Sequence, residues 1–273
     1  MDQIYIIMLI ALGVLAIIDL MVGVSNDAVN FLNSAIGSKA ISFKTTMIVA
    51  SFGVLVGALF SSGMMEIARS GIFVPSMFSF DDVMIIFLAV MITDILLLDV
   101  FNSLGLPTST TVSIIFELLG AAVCLALYKI YMSNESFDTL GMYINTKKAS
   151  TIVYSILLSV ILSFSLGSLV QYISRLIFTF HYEKKLKYFG AIFGGIAISS
   201  ITFFILIKGL KDVSFISKEQ SNWITTHQLL ILGVNFVFFL ALSQLLISYF
   251  KVNILKVIIL IGTFALALAF AGN

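Results

Sequence analysis

Charged side chains are scarce in this chain of 273 residues, and so are the residues on which most enzymes and disulfide-linked domains depend. Asp, Glu, Lys and Arg make up 11% of the sequence, whereas soluble domains carry about a quarter. The single cysteine, Cys124, excludes an intrachain disulfide, and His181 and His227 fall in loop positions. No P-loop, H-E-x-x-H or Ser/His pair within one motif occurs, so we predict no enzyme, no cofactor and no resident metal. A net charge of +1 with scattered basic residues argues against a nucleic-acid partner.

Apolar residues dominate instead, at 60% of the chain with 25 phenylalanines and a mean hydropathy of +1.13. A hydrocarbon core about 30 Å thick needs about 20 apolar residues per helix. Segments of that kind are found at 4–22, 45–65, 83–101, 109–131, 150–178, 189–208, 228–249 and 254–272. We therefore predict an all-α, multi-pass protein of the lipid bilayer, and expect it in the plasma membrane. Lys and Arg are spread evenly over the loops, so no orientation follows.

Small residues recur at helical spacing in two of these segments. Gly53, Gly57 and Ser61 form one series, and Gly190 and Gly194 form another. In lipid there is no hydrophobic driving force for helices to associate, so close van der Waals packing of their backbones holds them together. Small residues allow this close approach. We predict ordinary helix packing at both places rather than a ligand site.

A polar stretch, FNSLGLPTSTTVSIIFELLG at residues 101–120, has the pattern of a helix start. Pro107 is one of 2 prolines in the chain and precedes four hydroxyl residues: Thr108, Ser109, Thr110 and Thr111. Proline suits a first helical turn, and a hydroxyl caps free amide groups. A helix that begins inside a membrane directs N–H donors and its positive dipole end at a cavity, which favours an anion. Broken helices around a midplane site are typical of secondary transporters.

An earlier polar stretch, VGVSNDAVNFLNSAIGSKA at residues 22–40, follows the first apolar segment at bilayer depth. On a helix its polar residues fall on one stripe, formed by Asn26, Asp27, Asn30, Asn33 and Ser34. Carboxamides donate to anions and their oxygens bind hard cations, while an ionised aspartate binds a cation and repels an anion. The mixture suits an oxyanion and a cation that travel together. Interhelical hydrogen bonding is the alternative for any one of these residues.

Further carboxyl groups lie within the apolar segments. Asp94 and Asp99 precede the predicted helix start, Glu117 follows it, and Asp19 lies seven residues before Asn26. A charge at the bilayer centre costs about 2.5–3.5 kcal/mol on insertion scales, so such residues are functional candidates. We take Asp94 and Asp99 as candidate cation ligands together with Asp27 and Asn33. An internal ion pair or an interfacial position is the alternative for each.

These stretches carry a family resemblance. SNDAVN at 25–30, followed by GSKA at 37–40, resembles the GANDVANAFGTSVGSKA-like signature of the inorganic phosphate transporter (PiT) family. GLPTSTT at 105–111 resembles that family's GLPVSTTH motif, and EIARSGI at 66–72 matches its E-x-x-R-x-G-I. The resemblance covers residues 1 to about 130. It implies symport of inorganic phosphate with sodium ions or protons, by two inverted repeats that each supply one signature and one hydroxyl-rich helix start.

The sequence departs from that family pattern. Val112 replaces the histidine that usually closes the second motif, and the glutamate of the family's F-E-x-x-G is absent around 52–57. One signature pair is present, and the last residue, Asn273, follows an apolar segment much as Asn26 does. We therefore predict one membrane domain over 1–273, with a first repeat at 1–165, connecting helices at 166–253 and the start of a second repeat at 254–273. A missing second half is the expected partner, with a homo-oligomer as the alternative.

Together these features predict a secondary transporter. The expected phosphate ligands are Asn26, Asn30, Ser109, Thr110 and Thr111, and the expected cation ligands are Asp27, Asn33, Asp94 and Asp99, with sodium possible at Asp27. A permease for another oxyanion, such as sulfate, and a membrane scaffold subunit that transports nothing are the alternatives.

Overall fold

The computed structural model describes residues 3–59, 71–178, 182–210 and 218–271. Over these residues the chain is a series of helices with no β-strand, and one isolated bridge joins Phe73 to Ile144. The helices are α1 (Gln3–Ser38), α2 (Phe43–Leu59), α3 (Phe80–Ser103), α4 (Thr110–Met132), α5 (Leu140–Tyr143), α6 (Thr146–Ile177), α7 (Tyr182–Leu210), α8 (Lys218–Thr226), α9 (Gln228–Ser248) and α10 (Ile254–Ala271). Short 3₁₀ turns lie at Pro75–Met77 and Phe137–Thr139.

Each of the eight predicted apolar segments overlaps a helix over its described residues, which confirms the all-α membrane class. Residues 60–65 of the second segment and residue 272 of the last lie outside the described residues. Among the described residues, seven helices are long and apolar enough to cross a membrane, and α2 is a shorter apolar helix. The short helices α5 and α8 lie between long helices along the chain. Large apolar side chains are exposed along most of the long helices, for example Phe164 at 77% and Leu229 at 85%. Such a surface fits lipid as its solvent.

Helix α1 extends beyond the predicted apolar segment, which ends at residue 22. Helix α1 continues without a break through the polar stretch to Ser38, for 36 residues or about 54 Å. No proline interrupts this part of the chain. The polar side chains also do not compete with the helical hydrogen bonds: the Ser25 hydroxyl donates to the Met21 carbonyl one turn back, and Asn26 bonds outside the helix. Polarity here therefore marks a site rather than a loop.

The chain divides into two compact units. The first comprises Met1–Asn30 and Gly63–Ile161, and the second comprises Phe31–Ser62 and Leu162–Asn273. Two of the unit boundaries fall inside α1 and α6 and differ from the predicted segment boundaries at 165 and 253. The assignment of repeats stays a prediction.

The core of the first unit lies between α3, α4 and the segments that flank them. Helix α4 contributes a buried stripe with a spacing of three or four residues: Ile115, Leu118, Ala122, Ala126 and Ile130. At one end of this core, Phe78 packs edge to face against the rings of Phe73 and Tyr143. At that end Lys129 Nζ pairs with Asp82 Oδ2 at 2.6 Å. This packing fixes where α4 begins relative to α3, which matters for the site.

The second unit is held by glycine contacts, as the sequence predicts. A β-carbon on Gly53 would lie 2.7 Å from the Phe264 carbonyl oxygen of α10. One on Gly194 would lie 2.6 Å from Ser243 Oγ of α9, and one on Gly190 would lie 3.0 Å from Ile247 Cδ1. These contacts confirm close packing of α2 on α10 and of α7 on α9. Ser61 and the EIARSGI motif, apart from Gly71 and Ile72, lie outside the described residues.

Gly57→Ala is expected to destabilise the second unit. A β-carbon at Gly57 would collide with the backbone carbonyl of Leu268, which cannot rotate away as a side chain could. Overpacking of this kind costs about 1–3 kcal/mol, so the thermal midpoint of the purified protein in detergent should fall. Gly233→Ala is the matched control, because no atom lies within 4 Å of a β-carbon there. Equal midpoints for the two variants would contradict the close approach of α2 and α10.

Candidate functional site

Asn26 joins the two polar stretches. Its Oδ1 accepts the Thr108 amide at 2.8 Å, and its Nδ2 donates to Asn102 Oδ1 at 2.8 Å and to the Leu106 carbonyl at 3.2 Å. Its side chain is buried, with 4% exposed. Both N–H groups are therefore already used, and in this conformation neither is left for an anion. Asn26 positions the connection between α3 and α4.

Asn102 is a second member of this network that the sequence analysis did not single out. Its Nδ2 donates to the Val22 carbonyl of α1 at 3.1 Å while its Oδ1 accepts from Asn26. The two carboxamides thus fasten the end of α3 to α1. A lone carboxamide at the end of an apolar segment, just before Gly105 and Pro107, is the signal that could have found it.

The predicted helix start within the GLPTSTT stretch is confirmed. Helix α4 begins at Thr110, and Ser109 is its cap, with Oγ accepting the Val112 amide at 3.4 Å. Pro107 lies before the cap rather than in the first turn, and Gly105 supplies a φ of +67° for the turn that precedes it. No described residue accepts a hydrogen bond from the amides of Thr110 and Thr111. These free donors, together with the dipole, favour a negative charge at this end of α4.

Asp27 lies beside this helix start. The Thr110 hydroxyl donates to Asp27 Oδ2 at 2.8 Å. The other carboxylate oxygen, Oδ1, is buried and has no hydrogen-bond partner among the described residues. The arrangement places a carboxylate that lacks a second donor next to amides that lack an acceptor.

Ser113 bridges two further carboxyl groups, one turn deeper along α4. Its Oγ lies 2.7 Å from Asp94 Oδ1 and 2.8 Å from Glu117 Oε1. Asp94 is 1% exposed, and Asp19 of α1 interacts electrostatically with both Asp94 and Glu117. A hydroxyl has one hydrogen and cannot donate to two carboxylates at once. No basic side chain in the described part of the chain forms an ion pair with these groups.

The other predicted ligands are placed differently. Asn30 is exposed on α1 one turn after Asp27, close enough to interact with its carboxylate, and Thr111 is half-buried beside Thr110. Asp99 is exposed on α3, away from the buried face that carries Asp94, and Asn33 is exposed on the part of α1 that belongs to the second unit. The structure therefore brings together Asn26, Asp27, Thr110 and Thr111, and separately Asp94, Glu117 and Asp19.

Neither group is a preformed metal site made of acidic residues alone. Over the residues that the structure describes, no three His, Cys, Asp or Glu side chains converge closely enough to hold a metal ion. A cation bound here would also need oxygen ligands from hydroxyls, carbonyls or water, as hard cations commonly have.

Comparison with known proteins is consistent with the two sequence motifs. A family model described as the phosphate transporter family matches residues 23–265. A protein named "Putative phosphate permease" from Mycobacterium bovis is 33% identical over 151 residues, which are 54% of this chain and 26% of that protein. A protein of the same description from Thermococcus kodakarensis is 32% identical over 109 residues, or 39% of this chain and 27% of that protein. The matched region thus spans about a quarter of these curated relatives.

A solved structure shares the fold. The structure titled "The sodium-dependent phosphate transporter" superposes with a TM-score of 0.66 at 20% identity. The match covers 92% of this chain and 58% of that chain. The helical arrangement described above is therefore a known membrane-protein fold.

Asn26→Ala is expected to loosen the connection between α3 and α4. The change leaves the Thr108 amide and the Leu106 carbonyl without partners, which costs about 1–3 kcal/mol for buried groups. Backbone amides of residues 104–110 should therefore exchange hydrogen for deuterium faster in the reconstituted protein. Asn33→Ala removes an exposed carboxamide from the same helix and should leave this exchange unchanged. Identical exchange in both variants would show that Asn26 does not hold the connection.

Proposed function

The chain belongs to the phosphate transporter family, and on this basis we propose that it takes part in secondary active transport of inorganic phosphate, coupled to sodium ions or protons, across the plasma membrane. The observation that carries the proposal is the hydrogen bond from Thr110 to Asp27, which joins the helix start to the polar stripe of α1. An anion-binding group and a cation-binding group meet at that contact.

Phosphate is assigned to the start of α4. The free amides of Thr110 and Thr111 and the hydroxyls of Ser109 and Thr111 supply donors, and the helix dipole adds a favourable field. Asn30 is a further donor from α1. Asn26, whose donors are used within the protein, acts by holding this end of α4 in place.

A cation at Asp27 would link its own binding to that of phosphate. Without a cation, the Thr110 hydroxyl donates to the carboxylate and is not available to the anion. A sodium ion or proton at Asp27 neutralises the carboxylate. It thereby weakens the hydrogen bond that the carboxylate accepts from Thr110 and removes the repulsion between the carboxylate and phosphate. Binding of the cation then favours binding of the anion, which is the reciprocal coupling that a symporter needs.

Asp94 offers a second position for a coupled cation. Its carboxyl shares the Ser113 hydroxyl with Glu117 and has no basic partner in the described residues. One added proton or sodium ion would relieve the repulsion between these two carboxyl groups. Glu117 thereby joins the candidates for coupling, whereas Asp99, exposed on α3, has no comparable surroundings.

The membrane potential makes coupling necessary. Each negative charge carried inward against a potential of 100 mV costs about 2.3 kcal/mol. Two cations cancel the charge of a phosphate dianion, and a third allows the potential to drive uptake. The two carboxyl groups of Asp27 and Asp94 correspond to the charge-balancing pair.

Uptake measurements test the proposed function and its central contact together. Vesicles that hold the chain together with its expected second half, or as a homo-oligomer, should accumulate labelled phosphate, but not sulfate, when an inward sodium or proton gradient is present. Thr110→Val keeps the side-chain shape and removes the hydroxyl, so its KM for phosphate should rise about tenfold or more, the effect of one hydrogen bond to a charged group. Thr110→Ser keeps the hydroxyl and should transport as the wild type does.

Two results would contradict the proposal. Equal uptake of sulfate would make the protein a general oxyanion permease, and the absence of gradient-driven phosphate uptake by either folded assembly would remove the assignment. An unchanged KM in Thr110→Val would exclude the contact with Asp27 from the mechanism.

Asp94→Asn is expected to change the cation dependence of uptake. The variant keeps the shape of the side chain but cannot hold a sodium ion or release a proton as the carboxyl does. If sodium is the coupling ion, half-maximal uptake should need about tenfold more sodium. If the proton is the coupling ion, uptake should lose its response to pH. Asp99→Asn, on the exposed face of the same helix, is the matched control and should keep the wild-type response. If the two variants behave alike, Asp94 has no special role in coupling.

A further inference from the structure

The second unit contains a cavity that the transport proposal does not use. Its volume is about 690 Å³, and it lies where α7 begins, α9 ends and α10 begins. A volume of this size is within the range of small-ligand sites, about 300–1,000 Å³. Because all three helices are apolar enough to span a membrane, their common ends mark the boundary between hydrocarbon and water.

Aromatic side chains support this level in the bilayer. Tyr182 lines the cavity itself, while Tyr188 and Tyr249 nearby are 79% and 81% exposed. Tyrosine is enriched at membrane–water interfaces, where its ring contacts lipid and its hydroxyl contacts water. The cavity therefore opens among lipid headgroups rather than into the interior of the bilayer.

The polar wall of the cavity is cationic. Lys187 of α7 and Lys251 of the connection between α9 and α10 both line it, and neither forms an ion pair with a described residue. Ser248 and Asn253 add hydrogen-bonding groups, and Glu183 contributes a single carboxylate. Over residues 182–187 and 251–256 there are five lysines and one acidic residue. The wall therefore favours a phosphate-bearing anion.

The cavity also has an apolar part of its lining. Leu186, Ile247 and Val252 line it with aliphatic carbon. A small hydrated anion gains nothing from such a wall, whereas a phospholipid carries its phosphate next to a glycerol backbone and the first carbons of its acyl chains. Basic pockets between transmembrane helices are known places for anionic headgroups.

We propose that this cavity binds an anionic phospholipid of the surrounding bilayer. Lys187 and Lys251 contact the lipid phosphate, and Leu186, Ile247 and Val252 contact the glycerol and the adjoining acyl carbons. The lipid thus bridges the ends of α7 and α9 and the start of α10. This site is independent of the phosphate site at the start of α4, since it uses none of the same residues.

Lipid retention measures this binding. The purified protein, in detergent, is mixed with phosphatidylglycerol or phosphatidylcholine, and bound lipid is counted by native mass spectrometry. The wild type should retain phosphatidylglycerol in preference. The double variant Lys187→Gln/Lys251→Gln should bind it at least about tenfold more weakly, since each lysine near a lipid surface contributes on the order of fivefold. Lys187→Arg/Lys251→Arg should retain it.

Lys147→Gln/Lys148→Gln is the matched control, because it removes two exposed lysines from the start of α6, where they line no such cavity. It should bind phosphatidylglycerol as the wild type does. An equal loss in this control would show general attraction to the protein's positive charge and overturn the proposal. Displacement of the lipid by millimolar inorganic phosphate would also overturn it, because the cavity would then be a site for the free anion.

Discussion

The position of the α4 start depends on one side chain, the carboxamide of Asn26. It contacts three points on the seven-residue stretch from Asn102 to Thr108, where a free chain would have many conformations. Only a carboxamide offers two donors and an acceptor in this space: aspartate lacks the donors, and a hydroxyl has one. Because α1 continues as a regular helix past Asn26, the same residue that anchors the connection also fixes the distance to Asp27. The anion-binding and cation-binding groups are therefore brought together by a residue that need not touch either ligand.

Some of this arrangement could be predicted from the sequence and some could not. The helices follow from the length and polarity of the apolar segments, and the glycine contacts follow from a spacing of four residues, because both are properties of one helix. The start of α4 follows from local chemistry at Pro107 and Ser109. Helix α1 is longer than its apolar segment because nothing in the polar stretch 22–38 breaks a helix. The roles of Asn26, Asn102 and Ser113 depend on which helices lie beside each other, and a single sequence does not contain that information.

The hydrogen bonds of Ser113 limit the negative charge that the two neighbouring carboxyl groups can carry. A count of acidic residues does not show this limit. Asp94 and Glu117 lie within hydrogen-bond distance of a hydroxyl that has one proton to give. One more positive charge would balance the second carboxylate of Asp94 and Glu117. Either a proton or a small metal ion would supply it. The same geometry is thus compatible with either coupling ion, and the choice between them rests on how much water and how many additional oxygen ligands reach the site.

The packing of Gly57 against Leu268 has a consequence for biosynthesis. The two residues lie far apart in the sequence, so α2 cannot reach its final contact until α10 has been made. At a synthesis rate of about 5–20 residues per second, the glycine face of α2 lies in the bilayer without its α10 partner for roughly ten seconds or more. During that interval the small residues that later admit another backbone are open to any passing helix. A helix that packs against α2 in that interval would block the contact with α10.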